Sequence, residues 1–285
     1  MVPPPLVAFC RYLSVVITFS RAIIRDMDIT NKYIPREYLA LKINYCKKQL
    51  AELPEVKVYS HMVNGLESKR YIVGKHRYES NSTTGQKLSH IFALRKDTER
   101  SLNLFETLWN NCFQGMPPSS IIPHKVIRTL SVDYNKRVVM DKNFFDNLVN
   151  DSNTKYPKHS GYYFDGISYR SASERDIAIL YTELGIPFKY EPSVSLAGLT
   201  YPINTDFVLY IKELDTCKFH EHFGMKDSSD YLRVTKIKYG NYTNAGLIPD
   251  LDILFTHDTE EIPFDIRYLL TKLNSSIYGS LLCSR

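Results

Sequence analysis

Three carboxylates stand at positions where a charged side chain needs a partner. Glu174 lies in the first turn of a predicted helix, and the residues three, four and seven positions later are apolar or aromatic, so Glu174 shares the core-facing side. Asp206 begins the predicted strand DFVLYI, and Glu221 lies in the predicted strand CKFHEHF. Carboxylates that converge at one end of a small sheet repel one another unless a hard cation binds them. The sequence therefore predicts a Mg²⁺ (or Mn²⁺) site with Glu174, Asp206 and Glu221 as ligands.

Taken singly, each of these carboxylates has an ordinary structural explanation. A glutamate in the first turn of a helix interacts favourably with the helix dipole, and an aspartate before a strand is a common turn residue. It is the combination of the three, in this order and on these elements, that favours a site over coincidence.

The elements that would position these residues follow one another regularly in the second half of the chain. The sequence patterns predict a helix at 173–184, strands at 187–196, 206–211 and 217–223, a helix at 229–244 and a strand at 251–255. The order is αβββαβ. Such an order is typical of an α+β or α/β fold in which helices flank a mixed central sheet.

A smaller helix–hairpin–helix region is predicted before this core. The first helix covers 36–53, where the following Pro54 stops it, and a second helix covers 88–113. Between them, two β-rich runs within 56–73 flank Asn64-Gly65, the dipeptide that best tolerates a type I′ hairpin turn.

Two segments are candidate linkers, the proline-rich 115–123 and the polar 150–161. We expect the boundary in the second, which gives a basic N-terminal region at 1–155 and a second domain, with the αβββαβ core, at 156–285. Residues 1–26 are expected to be a loosely attached tail.

Charge is divided unevenly along the chain. Residues 1–150 hold 22 Lys and Arg against 13 Asp and Glu, a net +9, whereas residues 151–285 hold 14 against 18, a net −4. A basic half attracts phosphate backbones, and an acidic half can hold metal-binding carboxylates. The division is compatible with a nucleic-acid-binding part beside a metal-binding part, but charge alone establishes neither.

Composition excludes several other classes of protein. With 44% hydrophobic and 24% charged residues, the chain is expected to be globular rather than disordered. Its longest mostly apolar run, 12–19, is shorter than the ~20 residues of a membrane-spanning helix. The five cysteines contain no CxxC pair, so we expect neither a disulfide framework nor a thiolate zinc site, and a cytoplasmic, intracellular location.

Several segments of the second half resemble a known family. GISYRSASERDIAILYTELGIPFKYEPSVSL (166–196) is similar to the opening of a bacterial and phage branch of the PD-(D/E)XK nuclease superfamily, with its RSxSE turn, helix and GIPxxYE. TDF at 205–207 resembles that branch's PDF, EHFGMKDSSDY at 221–231 its EHFGM segment, and KYGNYTNAG at 238–246 its KxxxYxxxG helix end. These matches keep their order, whereas the first 150 residues resemble the family less distinctly.

The resemblance implies a restriction-endonuclease-like fold and a metal-dependent endonuclease that hydrolyses DNA. It implies that Glu174 is the helix carboxylate, Asp206 the metal-binding aspartate and Glu221 the acidic member of the second half-motif. Thr205 replaces the proline of PDF, which shapes the chain and does no chemistry.

One departure affects catalysis directly. Phe223 occupies the position of the motif's lysine, two residues after Glu221 on the same strand face. We expect Lys238 to supply the missing charge, because it stands in the matching KxxxY position. The alternatives are Lys236, about half a turn away, and His222, which can substitute only if the strand bulges.

Other functions remain open at this point. A nuclease fold without its usual lysine can be a nucleic-acid-binding module that does not cleave, and the carboxylates can belong to an unrelated structural protein. His220 and His222 share a strand face and invite a zinc site, but without a nearby cysteine or third histidine a structural role is favoured.

Overall fold

The computed structural model describes residues 36–63, 66–156, 158, 161–224, 229–259 and 263–283. The chain divides into two compact units, one of Arg36–Pro123 and one that contains His124–Arg285. The architecture is mixed α and β with small sheets, one of them a mixed sheet, as the sequence predicts.

The N-terminal unit consists of two helices and a three-stranded antiparallel sheet. Its elements are α1 (Arg36–Glu52), β1 (Lys57–Val63), β2 (Leu66–Val73), β3 (His76–Glu79) and α2 (Thr83–Cys112). The strand order is β1-β2-β3, with Val63 opposite Leu66, so two residues connect the predicted hairpin. The predicted turn at Asn64-Gly65 itself lies outside the described residues.

The third strand and its connection were not predicted. Two residues join Val73 to His76, and the first, Gly74, has a φ of +59°, which glycine adopts without a steric penalty. One face of the sheet packs against α2 through the buried side chains of Tyr71 and Leu88. The sheet therefore buries one side within its own unit.

The second unit contains a four-stranded mixed sheet surrounded by helices and short hairpins. Its elements are β4 (Thr129–Ser131), β5 (Arg137–Val139), α3 (Lys142–Asn147), β6 (Tyr163–Phe164), β7 (Ile167–Ser168), α4 (Ala172–Glu183), β8 (Phe188–Tyr190), β9 (Ser193–Val194), β10 (Ile203–Asn204), β11 (Phe207–Ile211), β12 (Thr216–Gly224), α5 (Ser229–Asn244), β13 (Ile253–Asp258) and α6 (Ile266–Leu282). The sheet order is β13-β12-β11-β8. Strands β8, β11 and β12 pair antiparallel, and β12 pairs parallel with β13.

The predicted strand at 187–196 is in fact two strands in different sheets. β8 pairs with β11, whereas β9 pairs with β10. Between them Glu191 has a φ of +43°, a left-handed conformation that ends a strand. The predicted strand ran through Pro192, although proline cannot donate to a strand ladder and is typical of a strand end.

The boundary between the units differs from the one expected at 155/156. It falls after Pro123, in the first linker candidate, because the following residues pack on the mixed sheet. Leu130 and Met140 are buried in the same core as Val208 and Phe219. Apolar side chains of β4 to α3 thus pack in one core with those of β11 and β12.

Two further expectations concern the whole chain. Within the described ranges, no helix combines the length and apolar character that crossing a membrane requires. No disulfide bond joins Cys46, Cys112, Cys217 and Cys283, the cysteines that the structure describes. Cys10 and the predicted tail at 1–26 lie outside the described residues.

Candidate functional site

Glu174 is held at the start of α4. Ser171 caps this helix, and its Oγ accepts the Glu174 N–H at 3.1 Å. The Glu174 side chain is buried, and its Oε2 accepts hydrogen bonds from Tyr190 Oη at 2.6 Å and from the Arg170 N–H at 3.1 Å. Burial, together with the Glu174 charge, raises the pKa of Tyr190, so this phenol stays a donor. The carboxylate is therefore fixed by two neighbours from outside its helix.

Asp206 is buried immediately before β11. Its Oδ2 accepts the N–H of His222 on the neighbouring strand at 2.8 Å. Burial raises the pKa of Asp206, and the charges of Glu221 and Glu174 raise it further, while Lys238 opposes them. The three predicted carboxylates and Lys238 therefore lie within electrostatic reach of one another.

Glu221 is fully buried on β12 and is paired with two residues of α5. Lys238 Nζ donates to Glu221 Oε2 at 2.7 Å, and the Tyr242 hydroxyl donates to Oε1. The two donors are four positions apart and so share one face of the helix. Burial opposes the charge of Lys238, but the charges of Glu221 and Asp206 outweigh it and raise the pKa of this ammonium group.

The opposite face of β12 carries the two histidines. His220 Nδ1 lies 2.7 Å from Tyr181 Oη, and its Nε2 lies 2.7 Å from Thr256 Oγ1. Thr256 Oγ1 is also 2.9 Å from His222 Nδ1, and His222 Nε2 is 3.3 Å from Asp258 Oδ2. Burial is the main cause that lowers the pKa of both rings. All four ring nitrogens are engaged, which favours the structural role over a zinc site.

The hydrogen bonds of this network can be assigned donors and acceptors in one consistent way. An ionised Asp258 can only accept, so the Nε2–H of His222 donates to it and Nδ1 accepts from the Thr256 hydroxyl. Thr256 then accepts from the Nε2–H of His220, whose Nδ1 accepts from Tyr181. Both histidines are therefore neutral, and the acceptor Asp258 fixes which nitrogen of each ring carries the proton. The network connects β12 to β13 and α4.

Phe223 and Lys236 occupy positions that exclude them from the site's chemistry. Phe223 stacks on Phe255, with ring centroids 5.8 Å apart and planes 12° apart. Lys236 is exposed on α5. Of the three candidates for the missing charge, the structure brings only Lys238 to Glu221, since His222 faces the other side of the strand.

The donor set agrees with a hard divalent cation, although the side chains are arranged around internal partners. Within the described part of the chain, no three His, Cys, Asp or Glu side chains form a ready metal-binding cluster. Lys238 and Tyr242 engage both oxygens of Glu221. The buried carboxylates nevertheless offer only oxygen ligands and repel one another, and a cation that replaced Lys238 at Glu221 would relieve that repulsion.

Sequence reasoning assigned no role to three residues that touch the carboxylates. Tyr190 and Tyr242 stand within the segments GIPFKYE and KYGNYTNAG, but nothing in the local pattern indicates where their hydroxyls point. Arg170 stands in the RSxSE-like turn, where its backbone contacts Glu174 and its guanidinium contacts the buried Glu191.

Comparison of the chain with protein-family models, curated proteins and solved structures gives no significant match.

Proposed function

We propose that this chain is a metal-dependent endonuclease that hydrolyses phosphodiester bonds of DNA, on a restriction-endonuclease-like core. The observation that carries the proposal is geometric: Lys238 pairs with the buried Glu221, and Asp206 accepts the N–H of His222, the residue after Glu221. The raised pKa of Asp206 has Glu221 and Glu174 among its causes, and Lys238 contacts Glu221 directly. An acidic cluster with one lysine is suited to phosphodiester hydrolysis because it combines cation ligands with a charge for the phosphate.

The order of elements around the site supports the same proposal. Helix α4 carries Glu174, the start of β11 carries Asp206, β12 carries Glu221 and α5 carries Lys238. With β8 between α4 and β11, and β13 after α5, the two helices and the strands of the mixed sheet follow the αβββαβ order that the family resemblance implies. Four elements distant in the chain thus contribute one residue each.

Mg²⁺ or Mn²⁺ would be held by Asp206 and Glu221, with Glu174 as a further ligand. When bound, such an ion supplies Lewis acidity to water and to the non-bridging phosphate oxygens. Glu174, fixed by Tyr190 and Arg170, is placed to orient the attacking water or a second ion. Lys238 offers an ammonium group that stabilises negative charge as it develops on the phosphate.

A plasmid-nicking assay with Mg²⁺, and with EDTA as the control, tests this proposal. We expect the full chain to nick DNA with Mg²⁺ only, and Asp206→Asn and Glu221→Gln to abolish nicking. Both replacements keep the size and a hydrogen-bond acceptor for His222 or Tyr242, so a folded protein is expected. Undiminished nicking by either variant would contradict the assignment of the ligands.

The second candidate function is DNA binding without cleavage. It is favoured by Phe223 at the usual lysine position and by the occupation of both Glu221 oxygens by Lys238 and Tyr242. A chain that binds DNA at low salt but never nicks it, with Mg²⁺ or Mn²⁺, would belong to this class.

A further inference from the structure

The three-stranded sheet of the N-terminal unit has an outer face that does not pack on α2. The strand registers place alternate residues on this face: Lys57, Tyr59 and His61 of β1, Ser68, Arg70 and Ile72 of β2, and Arg77 and Glu79 of β3. The opposite face carries Val58, Tyr71 and Tyr78, which pack with α2 in a small core. We call the first set the outer face.

Two aromatic rings are neighbours on the outer face. The rings of Tyr59 and His61 are 15° from parallel, with centroids 6.0 Å apart. Tyr59 is 58% exposed, which is a large fraction for a tyrosine in the middle of a sheet strand. The exposed ring of Tyr59, nearly parallel to that of the half-buried His61, offers a π-face to another planar group.

Cations surround these rings and outnumber the one acidic residue of the face. Arg70 lies directly opposite Tyr59 and is paired with Glu79, whose Oε1 is 2.5 Å from its Nε. Lys57 and Arg77 are exposed. The sequence of this unit, 36–123, has 13 Lys and Arg against 8 Asp and Glu, so an excess of positive charge extends beyond the face itself.

We propose that the outer face binds an unpaired segment of DNA, with bases stacked on Tyr59 and His61 and phosphates contacted by Lys57 and Arg77. Aromatic rings interleaved with cations are suited to such a strand because each base has a π-face and each nucleotide a phosphate. The choice of DNA rests on the proposed endonuclease function. Binding to this face requires no cleavage and no metal.

The same features argue against the two obvious alternatives. Duplex DNA keeps its bases stacked on one another, so it offers phosphates to the cations but no free base to Tyr59. An acidic protein surface would pair with the cations but would not require the exposed ring of Tyr59. Dependence on Tyr59 therefore distinguishes an unpaired strand from both.

The test measures binding of the full chain, in EDTA, to a fluorescent oligothymidine of about 12 nucleotides, within the range that such surfaces cover. We expect Tyr59→Ala to weaken binding about tenfold, since stacking on one ring typically contributes that much. Tyr59→Phe should keep most of the affinity. Arg77→Ala should weaken binding and reduce the log–log salt slope by about 0.7.

Tyr134→Ala is the matched control, because Tyr134 is 88% exposed and belongs to the other unit. Its affinity should equal that of the unaltered chain. Equal binding by Tyr59→Ala and Tyr134→Ala would overturn the proposal, as would a duplex that binds as tightly as the oligothymidine. If the chain bound the oligothymidine through Tyr59 but never nicked DNA, only the proposed endonuclease function would be contradicted. If it nicked DNA but Tyr59→Ala did not weaken binding, only the inference about the outer face would be contradicted.

Discussion

Lys238 Nζ lies 2.7 Å from Oε2 of Glu221, and the two residues are 17 positions apart on α5 and β12. The carboxylate is fully buried, whereas the lysine side chain is 33% exposed. A buried charge of this kind is costly unless an opposite charge meets it, so each residue stabilises the other. The ammonium group that the strand lacks at Phe223 thus enters the site from a helix.

The first prediction concerns the role of this lysine. Lys238→Ala should lower the rate of Mg²⁺-dependent cleavage about a hundredfold, the usual scale for removing one electrostatic stabiliser. It should also bind Mn²⁺ more tightly, because Glu221 loses its internal cation. Single-turnover cleavage measures the first effect, and calorimetric titration with Mn²⁺ measures the second.

Lys236→Ala is the control for that experiment, since Lys236 is exposed on the same helix and should affect neither quantity. If Lys236→Ala lost activity and Lys238→Ala kept it, the catalytic role would pass to Lys236. Unchanged Mn²⁺ affinity in Lys238→Ala would show that the lysine does not compete with the metal.

The second prediction follows from the raised pKa of Asp206. Burial and the neighbouring carboxylates raise its folded pKa above the unfolded value, so the folded state binds the proton more tightly. The stability of the metal-free protein should therefore fall as pH rises through the folded pKa. Asp206→Asn should raise the melting temperature in EDTA at pH 7 to 8 and lessen this decline. A lower melting temperature than the unaltered chain across that range would contradict the prediction.

The third prediction concerns the buried contact between the histidines and Thr256. Thr256→Val removes a hydroxyl that bonds one ring nitrogen of His220 and one of His222 and leaves both without a partner. We expect unfolding free energy to fall by about 1–3 kcal/mol in urea titrations. Thr271→Val, at an exposed helix position, should change it by less than about 0.5 kcal/mol. Equal effects would refute a special role for Thr256.

The fourth prediction concerns Lys218, which is fully buried on the histidine face of β12. Its Nζ donates to Leu251 O at 2.6 Å, Ser276 O at 3.2 Å and Ser280 Oγ at 2.7 Å. Burial lowers the pKa of this lysine to about 7. Between pH 7 and pH 10 the unfolded chain therefore binds the proton and the folded chain releases it, so stability should rise with pH.

Lys218→Met tests this directly, because methionine fills a similar volume and does not titrate. Leu251 O and Ser276 O each keep a donor, Ser276 Oγ and Ser280 Oγ respectively. Urea unfolding at pH 7, 8 and 9 should show a rising free energy for the unaltered chain and a flatter one for the variant. Identical slopes would assign the rise to other groups.

Local pattern alone determined much of what surrounds the site. The helix predicted at 229–244 has those bounds as α5, and the stripe after Glu174 is buried as α4 requires. Strand alternation put Glu221 and the two histidines on opposite faces of β12 before any contact was known. These features depend on the helical period of 3.6 residues and the strand period of two residues. Both periods can be recognised from residues that are close together in the sequence.

Tertiary structure alone decided which residues meet. The sequence favoured Lys238 over Lys236 only through a motif spacing, whereas the docking of α5 on β12 brings Lys238 to Glu221. Pairing of Tyr190 with Glu174, and packing of Leu130 against the mixed sheet, depend on contacts between elements far apart in the chain. No local period encodes such contacts, because they form only when separate apolar faces bury one another and the polar groups between them find partners.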